Sequence, residues 1–473
     1  MEEFVSAKSL EEITKGYFSD IRDGLESKRS KRIIGNENYS TESFDELFES
    51  VDLYKSASVS RRLKAESSGE LTAPEEYTYQ NALRPWFNKV GLNQSKVGPH
   101  PDFAHLKDSG EVEFHHIVTM FVDIKRSSRL SLLMPLQDAY VVKNRILQAC
   151  VDVIRALDGY PHRLMGDAVM AFFGGKGNCP EDAIANALNA SSALKLILTE
   201  TVFPELNKLI GKDVNLGVRV GLDYGSRKEV VWANYGYGDA SEVTALGIPV
   251  DLASKAQSQA RTNTAMLGQG ILDYVDFPDR YSEIKTVGKN KSEERYILPN
   301  MSDENGIPIN RRCRLLKMEM YQDLLPVPLN WKTLGSSRLT YRDNIKFKCY
   351  YRKSDSDGWE EYKSVSYFLE KDMQLKFELE VLNPNELSSL YPLNAKFIKN
   401  NHGKEALQNE ENGLTDTKVR QIDKPTDMYQ SSIVLDFPEG TAYRGLHTME
   451  VSLSPKSNLN VVIYSDIIGV FIK

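Results

Sequence analysis

Apolar residues along this chain change their spacing twice, and the two changes divide it. Residues 1–111 are polar and charged, with helical patches such as SLEEITKGYFSDIRDGLESK, and predict a helical N-terminal extension. From His115 an apolar, β-rich run, HHIVTMFVDI, ends at Asp123-Ile124 and gives way to polar KRSSR, the signature of a strand. Leu136, Tyr140, Leu147, Cys150, Val151, Ile154 and Leu157 then recur at three- and four-residue spacing, the apolar face of a long helix. YPHRLMGDAVMAFFGG predicts two short strands turning at Gly166-Asp167, and DAIANALNASSALKLILTE a second amphipathic helix. NLGVRVGLDYG and EVVWANYG read as strands, VDLASKAQSQA as a short helix and YSEIKTVGKNKSEERYIL as a closing hairpin. The order β-α-β-β-α-β is the split βαβ, ferredoxin-like layout, and it occupies residues 112–300.

Residues 301–334 read as a linker. Beyond them, residues 335–473 are strand-dominated, from NIKFKCYYRK to NVVIYSDIIGVFIK, with Asn, Pro and Gly turns at regular intervals. That pattern predicts a β-sandwich-like domain of immunoglobulin size. The fold class is therefore α+β, with a helical extension before the ferredoxin-like domain and a β-rich domain after it.

Composition narrows the function. A net charge of -7 lacks the basic footprint that a nucleic-acid binder needs to neutralise phosphates. A locally positive site for a small anionic substrate remains compatible with that balance. Four cysteines without a CxxC pair offer neither a disulfide framework nor a zinc site. An apolar run long enough to span a membrane is not seen, and the opening MEEFVSAKSLEEITKGY reads as an acidic helix, so a cytoplasmic protein is expected.

The chemistry lies on two aspartates. Asp123 ends one strand and Asp167 sits at the tip of the next hairpin. In a split βαβ fold those strands are neighbours, so both carboxylates converge at one sheet edge. Two carboxylates together with substrate phosphate oxygens suit Mg²⁺ or Mn²⁺. Two such ions could activate a ribose 3′-hydroxyl and neutralise departing pyrophosphate.

FVDI, RLMGDAVMAFFG, RVGLDYG and GIPVDLASKA, in that order, resemble the class III adenylyl/guanylyl cyclase catalytic domain. The resemblance implies two metal ions held at Asp123, Ile124 and Asp167. It also implies a homodimer with the sites at its interface. The family's transition-state Asn and Arg fall here on Asp251 and Lys255; the lysine neutralises α-phosphate charge as a point charge without the guanidinium fork. An exposed Asp251–Lys255 pair at i,i+4 is the structural alternative. The family's phosphate loop is rebuilt as Lys125-Arg126-Ser127-Ser128, and Lys291 or its neighbour Lys289 resembles a triphosphate-contacting lysine, a solvated turn lysine being the structural alternative. The two base-reading positions carry Arg163 and Thr244, which match neither the adenine nor the guanine pattern.

These departures resemble the Pycsar anti-phage pyrimidine cyclases, whose C-terminal domain is sensor-like. The resemblance implies UTP as substrate and cyclic UMP as a messenger read by a separate effector. Cyclic CMP from CTP is the alternative, followed by an adenylyl cyclase or a catalytically dead nucleotide sensor.

Overall fold

The structure, a computed structural model, describes residues 8–19, 22, 77–302, 306–334, 338–427 and 429–473. The chain divides into two compact units, residues 15–78 and the remainder. Most of the smaller unit lies outside the described residues, and so does most of the expected N-terminal helical segment. The larger unit comprises a mixed α/β half and a β-rich half.

The mixed half is built on β1 (Ile117–Lys125), α1 (Leu136–Ala156), β2 (Gly159–Met165), β3 (Ala168–Phe173), α2 (Pro180–Ile197) and β4 (Gly217–Gly225). That is the β-α-β-β-α-β order read from the apolar spacing. β5 (Val231–Tyr235), β6 (Glu242–Leu246), α3 (Ile248–Gln259), β7 (Thr264–Gly268), β8 (Arg295–Ser302) and β9 (Pro308–Leu316) come next. The main sheet runs β8-β9-β7-β4-β1-β3-β2. β1 is central, antiparallel to β3 and β4 on its two flanks. β5 and β6 form a smaller sheet with Val112–Phe114. Its Trp232 stacks on Phe103 in a buried cluster with Phe172.

Two expectations do not hold. Within the span read as a linker, Pro308–Leu316 forms a strand of the main sheet, pairing Cys313 with Gly268. Arg311, Arg312, Arg314 and Asn310 masked the strand, although Cys313, Leu315 and Leu316 are buried. The amphipathic reading of α2 also fails, because the helix is buried nearly all round. One side covers the sheet, and the other meets the C-terminal domain. Asn189 Nδ2 donates to the Val365 carbonyl at 2.7 Å and its Oδ1 accepts from Tyr321 at 3.0 Å. Asp182 accepts the Phe368 N–H at 2.9 Å. Buried polar groups on a helix are tolerated when paired in this way.

The C-terminal half is a two-sheet sandwich of β10 (Ile345–Arg352), β11 (Gln374–Leu382), β12 (Leu393–Asn401), β13 (Gly413–Ile422), β14 (Ser432–Gly440), β15 (Gly445–Pro455) and β16 (Tyr464–Ile472). One sheet holds β10, β11 and β14 with Glu360–Tyr362, and the other β16, β15, β12 and β13 with Phe368–Leu369. Alternate residues of both sheets, among them Phe347, Phe377, Phe397 and Val451, meet in one core.

Asp223 on β4 is fully buried. Its Oδ1 accepts the N–H groups of Tyr224 and Gly270, both at 2.9 Å, while its Oδ2 has no hydrogen-bond partner among the described residues. Gly268 makes room for it, since a Cβ there would lie 2.2 Å from the carboxyl carbon. Burial pushes its pKa from 3.8 up to about 7. The folded state therefore binds more protons than the unfolded one between these values, and stability falls as pH rises through that window. Asp223→Asn keeps the accepting oxygen and removes the titration. Its melting temperature relative to the parent should rise between pH 5 and pH 8, and a pH-independent difference would contradict the assignment.

Candidate active site

The central strand aims the site. On β1, Val122 and Ile124 are buried in the core, so the two-residue period turns Asp123 to the opposite, partly open face. The register sets Asp123 opposite Ala168 of β3 on one flank and opposite Arg219 of β4 on the other. Arg219 answers the carboxylate directly, with Nη2 at 2.5 Å and Nε at 3.1 Å from Oδ2. Its remaining nitrogen, Nη1, reaches the Ser258 carbonyl of α3 at 3.4 Å.

Asp167 occupies the β2–β3 turn, as expected, after Gly166 at φ +65°. The Ile124 N–H donates to the Asp167 carbonyl at 3.3 Å, which ties the turn to the end of β1. The Asp167 carboxylate accepts a short hydrogen bond from the Ser127 hydroxyl. The Ile124 carbonyl accepts the Ser127 N–H at 3.3 Å and has a second lone pair free to bind elsewhere. The structure thus brings Asp123, Ile124 and Asp167 to one edge of the sheet.

The two basic residues of the rebuilt loop are tethered beside that edge. Lys125 Nζ donates to Thr262 Oγ1 at 2.9 Å. Arg126, left-handed at φ +67°, reaches Asn215 Oδ1 at 2.6 Å and its carbonyl at 3.0 Å. Lys291 is exposed on the Thr286–Val287/Ser292–Glu293 hairpin, also left-handed at φ +49°.

Helix α3 lies against β4 at Gly221, where a Cβ would come within 2.2 Å of the Ala253 carbonyl and the Gln257 nitrogen. Leu252, Ala253 and Ala256 face inward, leaving Asp251 and Lys255 exposed. These two form no ion pair with each other among the described residues, so the i,i+4 pairing is not what holds them.

The base-reading candidates meet on β6. Arg163 of β2 forms a tight ion pair with Glu242, two residues before Thr244 on the same face of that strand. Thr244 is buried. Behind them His162 is enclosed, its Nδ1 2.9 Å from the Gly98 carbonyl and its Nε2 3.8 Å from Glu242. Burial holds the His162 pKa below its ordinary value.

The donor set fits hard divalent cations: two carboxylates and a carbonyl, with no thiol or imidazole. No group of three or more His, Cys, Asp or Glu side chains gathers around a metal position among the described residues, so a bound ion would draw further ligands from substrate and water. Reading the sequence alone missed Arg219 and Glu242, and it placed Ser127 in the loop without its bond to Asp167. Arg219 carried a signal, a single cation among the inward-facing Val218, Val220 and Leu222, but its partner depends on the strand register.

Residues 323–473 match the family described as the Adenylyl/Guanylyl and SMODS C-terminal sensor domain. A cytidylate cyclase of Escherichia coli is 49% identical over 408 residues, covering 84% of this chain and 88% of that one. A cytidylate cyclase of Staphylococcus aureus is 32% identical over 397 residues, covering 82% and 86%. A crystal structure of an adenylyl cyclase from P. aeruginosa aligns with 44% of this chain and 95% of its own, at 17% identity and a TM-score of 0.36. Identity of 49% across most of both chains, over the cyclase motifs and the sensor domain alike, makes this protein a member of the Pycsar-like nucleotide cyclases.

Proposed function

We propose that this enzyme closes a pyrimidine nucleoside triphosphate into its 3′,5′-cyclic monophosphate, with CTP as the preferred substrate. Beside the cytidylate cyclase relatives, the observation that carries this reading is the Arg163–Glu242 pair. Arg163 offers only donors, which suit the N3 and O2 acceptors of cytosine, while Glu242 adds an acceptor for the exocyclic amine that uracil lacks. UTP, the choice drawn from sequence, is the second reading, since the two uracil carbonyls accept from Arg163 equally well. The cyclic product would serve as a messenger in anti-phage defence, read by a separate effector.

Two Mg²⁺ or Mn²⁺ ions at Asp123, Asp167 and the Ile124 carbonyl would supply activation of the 3′-hydroxyl and neutralisation of polyphosphate charge. Lys125, Arg126 and Lys291 would bind the triphosphate, with Arg219, the partner of Asp123, as a further cation on the same strand pair. Lys255 neutralises charge that develops at the α-phosphate, and Asp251 accepts a ribose hydroxyl. The 3′-oxygen attacks the α-phosphorus in line and pyrophosphate leaves. In a homodimer, α3 of one protomer would face the carboxylates of its partner. Support for that dimer comes from Leu132, Leu136 and Tyr140, apolar residues exposed by 84%, 74% and 69%.

Asp123→Asn and Asp167→Asn should each lower turnover by at least ~10²–10³-fold in a chain that still folds by circular dichroism, the scale of losing one preorganised electrostatic partner. Near-parental turnover in either variant would remove that carboxylate from the site.

Product analysis with ATP, GTP, CTP and UTP should give chiefly cyclic CMP. Glu242→Gln should shift the CTP:UTP ratio towards UTP, and Arg163→Ala should alter selection more than overall rate. A purine product, or unchanged ratios in both variants, would contradict the base assignment.

Leu136→Asp with Tyr140→Asp should convert a dimer into a monomer in sedimentation and abolish turnover. A variant that is still dimeric and active would place the interface elsewhere.

A further inference from the structure

The sandwich carries a pocket at its surface. At one end of it Leu375 and Phe377 of one sheet and Met449, Val470 and Ile472 of the other line a cavity of about 200 Å³ that opens to solvent. A volume of about 150 Å³ is enough to take up a molecule of the size of benzene.

The mouth of this cavity is charged. Lys399 of β12 and Glu439 of β14 pair across the two sheets at 2.6 Å. Glu411 accepts only a long 3.4 Å hydrogen bond from Asn401 and has no cation beside it among the described residues. His447 adds no charge. Its Nδ1 accepts the His402 N–H at 3.3 Å and its Nε2 donates to the Tyr443 carbonyl at 2.7 Å, while burial takes its pKa down to about 4. One lysine against two carboxylates leaves the mouth with a net negative charge, above an apolar floor.

We propose that this cavity is a binding site for a small organic amine, whose apolar body fills the floor and whose ammonium group meets Glu411 at the mouth. Charge excludes the alternative occupant of the same shape, an apolar carboxylate, which would face Glu411 and Glu439 with Lys399 already paired. The lips of the cavity are also the segments that touch the cyclase domain. Next to Asn401, Lys404 donates its N–H to Asp276, and next to Tyr443, Arg444 Nη2 donates to the Tyr274 carbonyl at 2.5 Å. An occupant therefore lies one residue layer from the junction with the catalytic half.

Calorimetric titration of the full chain with benzylamine, benzoate and the peptide Phe-Gly-Gly tests the site. Benzylamine should bind and benzoate should not. Glu411→Gln should weaken benzylamine at least tenfold, and Ala442→Trp, at an exposed position on the mouth, should block it while leaving the melting temperature unchanged. Binding of Phe-Gly-Gly as well would identify a peptide amino terminus as a source of the amine, whereas benzylamine alone would identify a free amine. Absence of benzylamine binding, equal binding of benzoate, or binding indifferent to both substitutions would overturn the proposal.

Discussion

The double pairing of β1 is the constraint on which the rest of the site depends. A central strand paired on both flanks has little freedom of register, and a slip of one residue would exchange its faces. Here a slip would drive the Asp123 carboxylate into the core occupied by Val122 and Ile124. The same pairing fixes what flanks Asp123, with the Asp167 turn on one side and Arg219 on the other. Two carboxylates drawn to one edge repel each other, and the fold offsets that with the Arg219 guanidinium at one and the Ser127 hydroxyl at the other. The groups of the acidic edge are therefore oriented by the fold itself.

Burial of α2 on both sides has a further consequence. A helix that covers only a sheet can present a polar outer face, but α2 is also the platform on which the sandwich rests. Its polar residues are accordingly used as specific partners, with Asn189 and Asp182 binding backbone of the C-terminal half. The contact continues through the Arg280–Glu450 ion pair and the Arg444–Tyr274 bond. Tyr274 in turn packs on Tyr224 at the end of β4, the strand that carries Arg219. The two halves thus share packed side chains from the sandwich to the strand beside Asp123.

The elements legible in the sequence were those rich in apolar residues and bounded by turn residues. β1 and the β2–β3 hairpin with its Gly166-Asp167 turn announced themselves as apolar runs, and α1 and α2 by helical spacing. β9 and β13 did not. β9 carries Arg311, Arg312 and Arg314 on a strand whose charges are matched by Glu229, Asp273 and Asp279 from elsewhere in the chain. β13 is the edge of its sheet and mostly exposed, so burial imposes little alternation on it. The first turn of α1 erred in the opposite sense. Leu136 and Tyr140 fit the helical apolar stripe and yet stand exposed, because spacing reports the side of the helix a residue lies on and not whether the core reaches that far. Arg219 and Glu242 were missed for a related reason: each acquires meaning only from a partner on another strand, and strand register is a tertiary property.

On the proposed reading, Glu242 would change the logic of the base site. An arginine alone is a donor and favours any base edge rich in acceptors, so Arg163 by itself discriminates weakly between the pyrimidines. A carboxylate alongside it converts the surface into a donor next to an acceptor. The side chain that faces the base 4-position then decides the outcome, since cytosine places an amine there and uracil a carbonyl. With Arg163 on β2 and Glu242 on β6, the spacing between two different sheets controls that order. Base choice in this enzyme would then be a property of how the small sheet docks on the large one. The buried stack of Phe103, Trp232 and Phe172, which holds the two sheets together, would act on specificity without touching the substrate.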